Sequence, residues 1–165
     1  MPEIFSPARI EHLKRLIQFV AGHAETAGFA IHRIKEIELA AEEVLVNIFN
    51  YAYPDMAGDV SITCRAENGR LILEFSDTGV PFNILDVPAP DVTADIHNRR
   101  VGGLGVFLVK EMSDEAWYRR EGDRNILRLI FHKHLQGAEG QERTGEVQKI
   151  ERRVVQHGRD RIRTG

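Results

Sequence analysis

Three clusters of polar residues interrupt otherwise apolar stretches of this sequence, and each has a composition suited to binding or to chemistry. In the first cluster, Glu43 and Asn47 are four residues apart, and Asn50 follows three residues later. On an α-helix this spacing places the three side chains on one face. A carboxylate and an amide so placed can position a divalent ion and a hydroxyl group, and their oxygens suit magnesium. A solvated polar helix face has the same composition, so this cluster alone does not define a function.

The second cluster runs from Asp77 to Asn83, with the sequence DTGVPFN, and follows an apolar strand pattern. The carboxylate of Asp77 can accept a hydrogen bond from an exocyclic amine such as that of adenine. Gly79 permits a ligand to approach the backbone closely, because glycine has no Cβ. An ordinary Asp/Gly turn explains the same residues equally well.

The third cluster places glycines at the start of a predicted helix, at Gly102, Gly103 and Gly105 around Leu104. Free backbone N–H groups and the helix dipole favour an anion at such a terminus. The cluster is not a Walker A loop, because no Gly-Lys-Ser/Thr follows. It is not a Rossmann fingerprint either, because it does not follow the first strand of a βαβ unit. By itself it indicates only an anion site.

Taken together in this order, the clusters resemble the motifs of the GHKL ATPases, a family that includes sensor histidine kinases, type II topoisomerases and Hsp90-like chaperones. Within that family the sequence most resembles the small bacterial anti-sigma-factor serine/threonine kinases. Residues 43–53, EVLVNIFNYAY, are similar to their N box, residues 77–83 to their G1 box, and residues 102–109, GGLGVFLV, to their G2 box. The resemblance spans about residues 5–134.

The resemblance implies a role for each matching residue. Glu43 would be the general base that takes a proton from a substrate serine or threonine hydroxyl, and Asn47 would ligate the Mg²⁺ that bridges the ATP phosphates. Asp77, with Gly79 beside it, would bind the adenine amine. We further predict nucleotide contacts, mainly to the phosphates, at Gly102, Gly103, Leu104 and Gly105. Asn50 is either a phosphate contact or merely solvated, and residues 84–101 would form an ATP lid.

One segment departs from the family pattern. Many relatives carry a Gly-Thr pair at the start of the last strand, where the threonine helps to bind adenine. This sequence has Arg124-Asn125-Ile126-Leu127 there. Two alternatives stay open, namely that the contact is missing or that Asn125 substitutes for it.

The hydrophobic periodicity predicts the order helix, helix, strand, strand, long loop, helix, strand, strand. Ser6 as a cap, Pro7 at the first helical position and a Phe5–Ile10 staple predict the first helix start. A second helix is expected over residues 32–50. Two alternating runs joined through Asn68-Gly69 predict an antiparallel hairpin.

After the irregular residues 78–101, a third helix is expected from Gly103 to Ser113, with Leu104, Leu108 and Met112 facing inward. Two more strands should flank a turn at residues 121–123. The pattern as a whole predicts an α+β fold, a two-layer sandwich whose mixed, mostly antiparallel sheet is covered by helices on one face. The resemblance identifies this arrangement as the Bergerat ATP-binding fold.

Length and composition narrow the class of protein. The 165 residues predict one domain, over residues 1–135, followed by a charged tail over residues 136–165 that we expect to be disordered. Cys64 is the single cysteine, and no Cys/His spacing indicates a zinc site. No apolar run approaches the roughly 20 residues of a membrane span, and the N-terminus lacks a signal-peptide pattern. We therefore expect a cytoplasmic protein. The net charge of −3 gives no reason to expect nucleic-acid binding.

The leading hypothesis is an ATP- and Mg²⁺-dependent kinase that phosphorylates an anti-sigma-factor antagonist and sequesters a sigma factor. The resemblance also implies a homodimer, with the first helix as a candidate surface, although ordinary core packing explains the apolar stripe of that helix equally well. The alternative is a non-catalytic module that binds ATP or ADP and holds a protein partner. A detached histidine-kinase ATPase domain is less favoured, because the first helix lacks a phosphoacceptor His-Glu motif and has Glu11-His12 instead.

Overall fold

Five strands and three helices make up the part of the chain that the structure, a computed structural model, describes, namely residues 1–88 and 103–133. In chain order they are β1 (Glu3–Pro7), α1 (Leu13–Thr26), α2 (Ile31–Tyr51), β2 (Asp59–Glu67), β3 (Arg70–Asp77), α3 (Gly103–Met112), β4 (Glu115–Glu121) and β5 (Arg124–His132). Short 3-10 turns lie at Ile10–His12 and Ile84–Asp86. The predicted tail, and residues 89–101 of the predicted lid, fall outside the described residues.

The strands form a single sheet in the order β1-β2-β3-β5-β4, and every neighbouring pair is antiparallel. Alternate residues of the central strands enter one hydrophobic core with the three helices. Members of this core include Ile62, Cys64, Leu73, Phe75 and Leu129 from the sheet. The predicted α+β sandwich is confirmed. The expected sheet was mixed but mostly antiparallel, and in the described residues every strand pair is antiparallel.

The hairpin between β2 and β3 turns at the predicted Asn-Gly pair. Asn68 and Gly69 have φ angles of 48° and 73°. Positive φ at both central residues matches the right-handed twist of the flanking strands, and Asn-Gly reaches that conformation at low cost. The register follows, with Glu67 opposite Arg70 and Cys64 opposite Leu73.

The predicted start of the first helix is wrong. Residues Glu3–Pro7 form the edge strand β1, in which Ser6 lies opposite Val60 of β2 and is buried. Phe5 and Ile10 are 65% and 59% exposed, so they form no staple. The local capping signal is overridden because pairing along β2 provides backbone hydrogen bonds that a sequence window of this length does not reveal.

The inward face of α3 also differs from the prediction. Val106 and Val109 are buried, whereas Leu104 is 61% exposed and Leu108 is only half-buried. Met112 does pack against the core, as expected. The helix is apolar on most sides, so several stripes fit its sequence equally well and the pattern did not fix its rotation.

A buried arginine ties together three elements at the end of the molecule remote from the turn after β3. Arg33, near the start of α2, is 2% exposed. Its guanidinium donates to the carbonyl of Met112 at 2.8 Å and to Glu36 at 2.5 Å, and it pairs with Asp114. Its Nε donates to the carbonyl of His132 at 3.4 Å. Arg33 therefore fixes the C-terminal end of α3 and the last residue of β5 against α2.

Candidate active site

A pocket opens between the second half of α2 and the sheet, at the end where β3 finishes. Its lining residues are Val44, Asn47, Ile48, Ala52, Phe75, Asp77, Phe82, Ile84, Tyr118, Asn125 and Leu127. The space between the walls is about 410 Å³, including the part open to solvent at its mouth. The lining is predominantly apolar, with a few polar groups converging at one end. That composition is typical of small-molecule sites.

Asp77 is the acidic group of this pocket and lies at the last position of β3. It is 7% exposed, and its Oδ1 accepts hydrogen bonds from the N–H of Gly79 at 2.9 Å and from Nδ2 of Asn125 at 2.8 Å. The other carboxylate oxygen, Oδ2, accepts no hydrogen bond from residues 1–88 or 103–133. Burial raises the pKa of Asp77 above its usual range, while the two hydrogen bonds and the charge of Arg120 act in the opposite direction. The carboxylate therefore has one oxygen held by the protein and one available to a ligand.

Asn125, which replaces the Gly-Thr pattern of the last strand, lies directly opposite Asp77 in the sheet. Its side chain is buried and its Nδ2 donates to Asp77 and to the carbonyl of Val80, the latter at 2.9 Å. Asn125 therefore lies at the site, and its contacts are with the protein groups around the acid. These contacts favour the other alternative, in which the adenine contact of the missing threonine is absent.

The turn after β3 packs against the C-terminal end of α2. The N–H of Val80 donates to the carbonyl of Ala52 at 2.9 Å, and a Cβ added to Gly79 would overlap that same carbonyl group. Tyr53 holds the turn from the other side, since its hydroxyl accepts from the N–H of Thr78 at 3.0 Å. Glycine is required at position 79 because the backbones of the turn and of Ala52 meet there. The sequence predicted a close approach to the Gly79 backbone by a ligand, and the structure shows a close approach by Ala52.

The polar face of α2 carries Asn47 into the pocket and leaves Asn50 outside it. Asn47 lines the pocket, and its Nδ2 donates to the carbonyl of Glu43, one turn earlier, at 2.7 Å. This bond fixes the amide so that its oxygen is the atom left to accept or to ligate. Asn50 is exposed and is not among the lining residues.

Glu43 lies one helical turn before Asn47 and faces the beginning of α3. A Cβ added to Gly105 would overlap the Oε2 atom of Glu43, so the carboxylate keeps its present position only while residue 105 is glycine. Burial raises the pKa of Glu43, and the neighbouring negative charge of Glu42 raises it further. A carboxylate of raised pKa accepts protons more readily near neutral pH, as a general base must.

The predicted phosphate-binding residues lie around the same point. Gly103 begins α3, and Leu104 projects into solvent, whereas Gly102 falls outside the described residues. The N-terminal N–H groups of a helix have no partner within the helix and favour anions. The start of α3 therefore places anion-binding groups beside Glu43.

The described residues contain no group of three or more His, Cys, Asp or Glu side chains that could hold a metal by themselves. A magnesium ion at this site would depend on the amide oxygen of Asn47 and on phosphate oxygens. The orientation of Asn47 fits that role, since its nitrogen is already bonded and its oxygen has no partner among the described residues. Mg²⁺ commonly binds through few protein ligands together with substrate phosphates and water.

Sequence reasoning missed three groups that shape the pocket. Phe82 and Ile84 close one side, and Tyr118 reaches in from β4. Phe82 lies inside the second cluster, where only the acidic residue and the glycine were considered, and Tyr118 belongs to none of the three clusters. Only the register of β4 on β5 shows that Tyr118 donates to Oδ1 of Asn125, at 2.7 Å.

With this geometry in view, comparison with known families gives one decisive match. The sequence model of the histidine kinase-like ATPase domain matches residues 6–131 of this chain. The chain belongs to this family. The match confirms the resemblance to GHKL ATPases, and it spans all three motifs as well as the segment of the departure at Asn125.

Curated relatives refine the comparison. The chain is similar to the serine-protein kinase RsbW of Bacillus mycoides (strain KBAB4), at 26% identity over 129 residues that cover 76% of this chain and 81% of the relative. The serine-protein kinase RsbW of Bacillus cereus (strain AH187) is 28% identical over the same coverage. These names support the anti-sigma-factor kinase branch of the family, and a kinase as the class of enzyme.

A solved structure shows the same fold. The RsbU and RsbW domains of Rv1364c from Mycobacterium tuberculosis align with a TM-score of 0.53 and 14% identity. The alignment covers 80% of this chain and 32% of that longer one, so this chain spans about a third of it. Within residues 1–88 and 103–133 of the present chain, no helix is both long enough and apolar enough to cross a membrane.

Proposed function

We propose that this chain is an ATP-dependent serine/threonine protein kinase that phosphorylates an anti-sigma-factor antagonist and, when that antagonist is absent, sequesters a sigma factor. The observation that carries the proposal is the placement of Glu43 against Gly105 at the start of α3. A carboxylate base and an anion-binding helix terminus then lie side by side, next to an apolar pocket with a buried acid.

The pocket would bind the adenine part of the nucleotide. Its apolar walls suit the faces of a purine, and Oδ2 of Asp77 suits the exocyclic amine of adenine. Phe75 and Leu127 come from neighbouring strands, and Val44 and Ile48 come from α2. These apolar side chains exclude water from the pocket. The hydrogen bond between Asp77 and the adenine amine is stronger as a result.

The phosphates would extend from the pocket toward α3, where backbone N–H groups are free to bind them. Asn47 would hold Mg²⁺ through its amide oxygen, and the ion would neutralise charge on the phosphates. The Glu43 carbonyl fixes the orientation of Asn47, so that its oxygen is presented to the ion.

Glu43 would act on the protein substrate. Its carboxylate takes the proton of a serine or threonine hydroxyl while the hydroxyl oxygen bonds to the γ-phosphorus. The bond from that phosphorus to the β,γ-bridging oxygen breaks, and ADP leaves with the electron pair. The raised pKa of Glu43 suits this role, because a base is most effective when its pKa approaches the working pH.

The relatives, named as serine-protein kinases, support a protein substrate, and the sigma factor comes from the family resemblance. We propose one protein substrate and one sigma factor as alternative partners, a homodimer as the assembly, and the cytoplasm as the location, without direct binding to nucleic acid or membrane. Two exposed apolar residues, Phe5 in the edge strand β1 and Ile10 shortly after it, support a protein-contact surface near the first helix.

The test of this site is calorimetry with ADP and ATP. The folded wild-type chain should bind both, with Mg²⁺ required for tight ATP binding. Asp77→Asn should weaken both nucleotides, because an amide nitrogen in place of the available oxygen repels the adenine amine. Asn47→Ala should lose the magnesium-dependent part of ATP affinity and keep ADP binding in the absence of metal. A folded chain that binds neither nucleotide would overturn the proposal.

A further inference from the structure

The amide of Asn125 has no hydrogen-bonding capacity left for a ligand. Its Nδ2 donates to Oδ1 of Asp77 at 2.8 Å and to the carbonyl of Val80 at 2.9 Å. Its Oδ1 accepts from the hydroxyl of Tyr118 at 2.7 Å and from Nη1 of Arg120 at 2.8 Å. An asparagine amide offers two donor hydrogens and two acceptor lone pairs, so all four are used.

The orientation of this amide is fixed by its neighbours. Arg120 can only donate, so the atom that it contacts must be the oxygen of Asn125. The carbonyl of Val80 can only accept, so the other atom must be the nitrogen. Rotating the amide by half a turn would oppose donor to donor and acceptor to acceptor at buried positions, which is costly.

We propose that Asn125 is a positioning residue that sets base selectivity without touching the base, by holding Oδ1 of Asp77 inside the protein and leaving Oδ2 to the pocket. The inference rests on the proposed nucleotide site. A single amide links the end of β3, the turn after it, and the edge strand β4. Arg120 reinforces the link, since its Nη1 also donates to the carbonyl of Gly79 at 2.8 Å.

Selectivity follows from the charge and direction of the acid. An ionised Asp77 accepts from the amine of adenine and repels the carbonyl oxygen that guanine carries at the same ring position. A protonated Asp77 can donate to that carbonyl, so discrimination against guanine falls as the carboxyl is protonated. The donor from Asn125 favours the ionised form of Asp77 against the burial that opposes it.

In the part of the chain that the structure describes, few other charged or titratable groups face Asp77. Arg120 approaches from β4, and Tyr118 acts through Oδ1 of Asn125. From α2, the pocket wall contributes the uncharged residues Val44, Asn47 and Ile48. The hydroxyl of Tyr53 lies at the backbone of Thr78, next to the acid. Removing Asn125 therefore removes the side-chain donor to Asp77 and leaves the N–H of Gly79 and the charge of Arg120 as the favourable groups.

The experiment compares Asn125→Ala and Asn125→Thr with Ile126→Ala, a change at the adjacent buried residue that makes none of these hydrogen bonds. ADP and GDP binding is measured by calorimetry across a pH series without Mg²⁺, so that Asn47 and the metal are not involved. The carboxyl of Asp77 is titrated by NMR in the nucleotide-free proteins, which reports on the acid independently of any ligand.

Asn125→Ala should weaken ADP binding about tenfold at neutral pH, as expected for loss of a hydrogen bond to a charged group. The ADP-over-GDP ratio should fall, and the pH at which ADP affinity is lost on acidification should rise, because the pKa of Asp77 rises. Asn125→Thr keeps one hydroxyl donor and should recover part of each effect. Ile126→Ala should lower the stability of the fold but leave the ADP-over-GDP ratio and the pH profile of ADP binding unchanged.

An Asn125→Ala protein that matches Ile126→Ala in base ratio, pH profile and Asp77 titration would overturn the inference and leave the proposed function standing. If Asn125→Ala does not fold, the same comparison between Asn125→Thr and wild type decides the question. A wild-type chain that binds neither ADP nor GDP would overturn both proposals at once.

Discussion

The contact between Glu43 and Gly105 makes position 105 sensitive to the smallest side chain. In Gly105→Ala the new Cβ overlaps the end of the Glu43 side chain, which is flexible and can move aside. We expect stability close to wild type and a loss of phosphoryl transfer, up to the ~10²–10⁴-fold typical of losing a general base. Thermal unfolding and a transfer assay with labelled ATP measure the two effects.

Gly79→Ala is the matched control for that change. Its Cβ would meet the backbone of Ala52, which cannot move without disturbing the end of α2. We expect a loss of about 1–3 kcal/mol in unfolding free energy, as for other overpacked sites. A larger loss of unfolding free energy in Gly105→Ala than in Gly79→Ala would contradict this account. It would show that the Glu43 side chain cannot move aside.

The acidic limb of the pH–rate profile should respond to Glu42. Transfer requires ionised Glu43, so the rate is present above the pKa of Glu43 and is lost as the pH falls through it. Glu42→Gln removes the like charge that raises this pKa, so the limb should move to lower pH while the plateau rate is retained. Glu38→Gln, at an acid that pairs with Lys35, serves as the control. An unmoved limb in Glu42→Gln would mean that another group titrates in catalysis.

Among the elements, the most consequential junction is the one that Arg33 makes between α2, α3 and β5. Arg33→Ala removes donors to the Met112 carbonyl and to Asp114 from a nearly fully buried position. We expect a cost of about 3 kcal/mol, in the range for breaking a buried ion pair from one side. Lys35→Ala, whose pair with Glu38 is largely solvated, should cost less than about 1 kcal/mol. Chemical denaturation distinguishes the two, and equal small effects would show that the junction contributes little.

The hairpin turn gives a second test at the scale of elements. Gly69 has a φ of +73° and open space around it, so Gly69→Ala should cost about 1–2 kcal/mol through backbone strain alone. Gly22 also has open space but lies within α1, so Gly22→Ala should stabilise by roughly 0.5–1 kcal/mol. The denaturant midpoint should therefore fall in Gly69→Ala and rise in Gly22→Ala. A loss of stability in both would contradict the backbone explanation.

Local signals predicted most of the elements. The α2 helix and the hairpin came from periodicity and from Asn-Gly, which act within a few residues. The strand β1 could not be predicted in this way, because Ser6 and Pro7 also form a good helix start. Its strand state depends on pairing with β2, more than fifty residues away. The rotation of α3 was missed for a similar reason, since only packing against α2 selects Val106 and Val109.

At the scale of the whole molecule, the site is built from four separate parts of the chain. The sequence placed Glu43, Asn47 and Asp77 in candidate clusters, because each cluster has its own composition. It could not place Asn125 opposite Asp77, since those residues are 48 positions apart and meet only through the register of β3 on β5. Tyr118 and Arg120 were missed because their role depends on that same register.

Transfer of the γ-phosphoryl group from ATP is the measurement that tests the account most directly. The chain is incubated with γ-labelled ATP, Mg²⁺ and an anti-sigma-factor antagonist from the same organism, and label on the antagonist is followed over time. Wild type should label a serine or threonine, and Glu43→Gln should bind ATP normally while transferring ~10²–10⁴-fold more slowly. Native-rate transfer by Glu43→Gln would show that Glu43 is not the base. Absence of transfer by wild type that binds both ATP and the antagonist would contradict a kinase and favour a nucleotide-binding regulator.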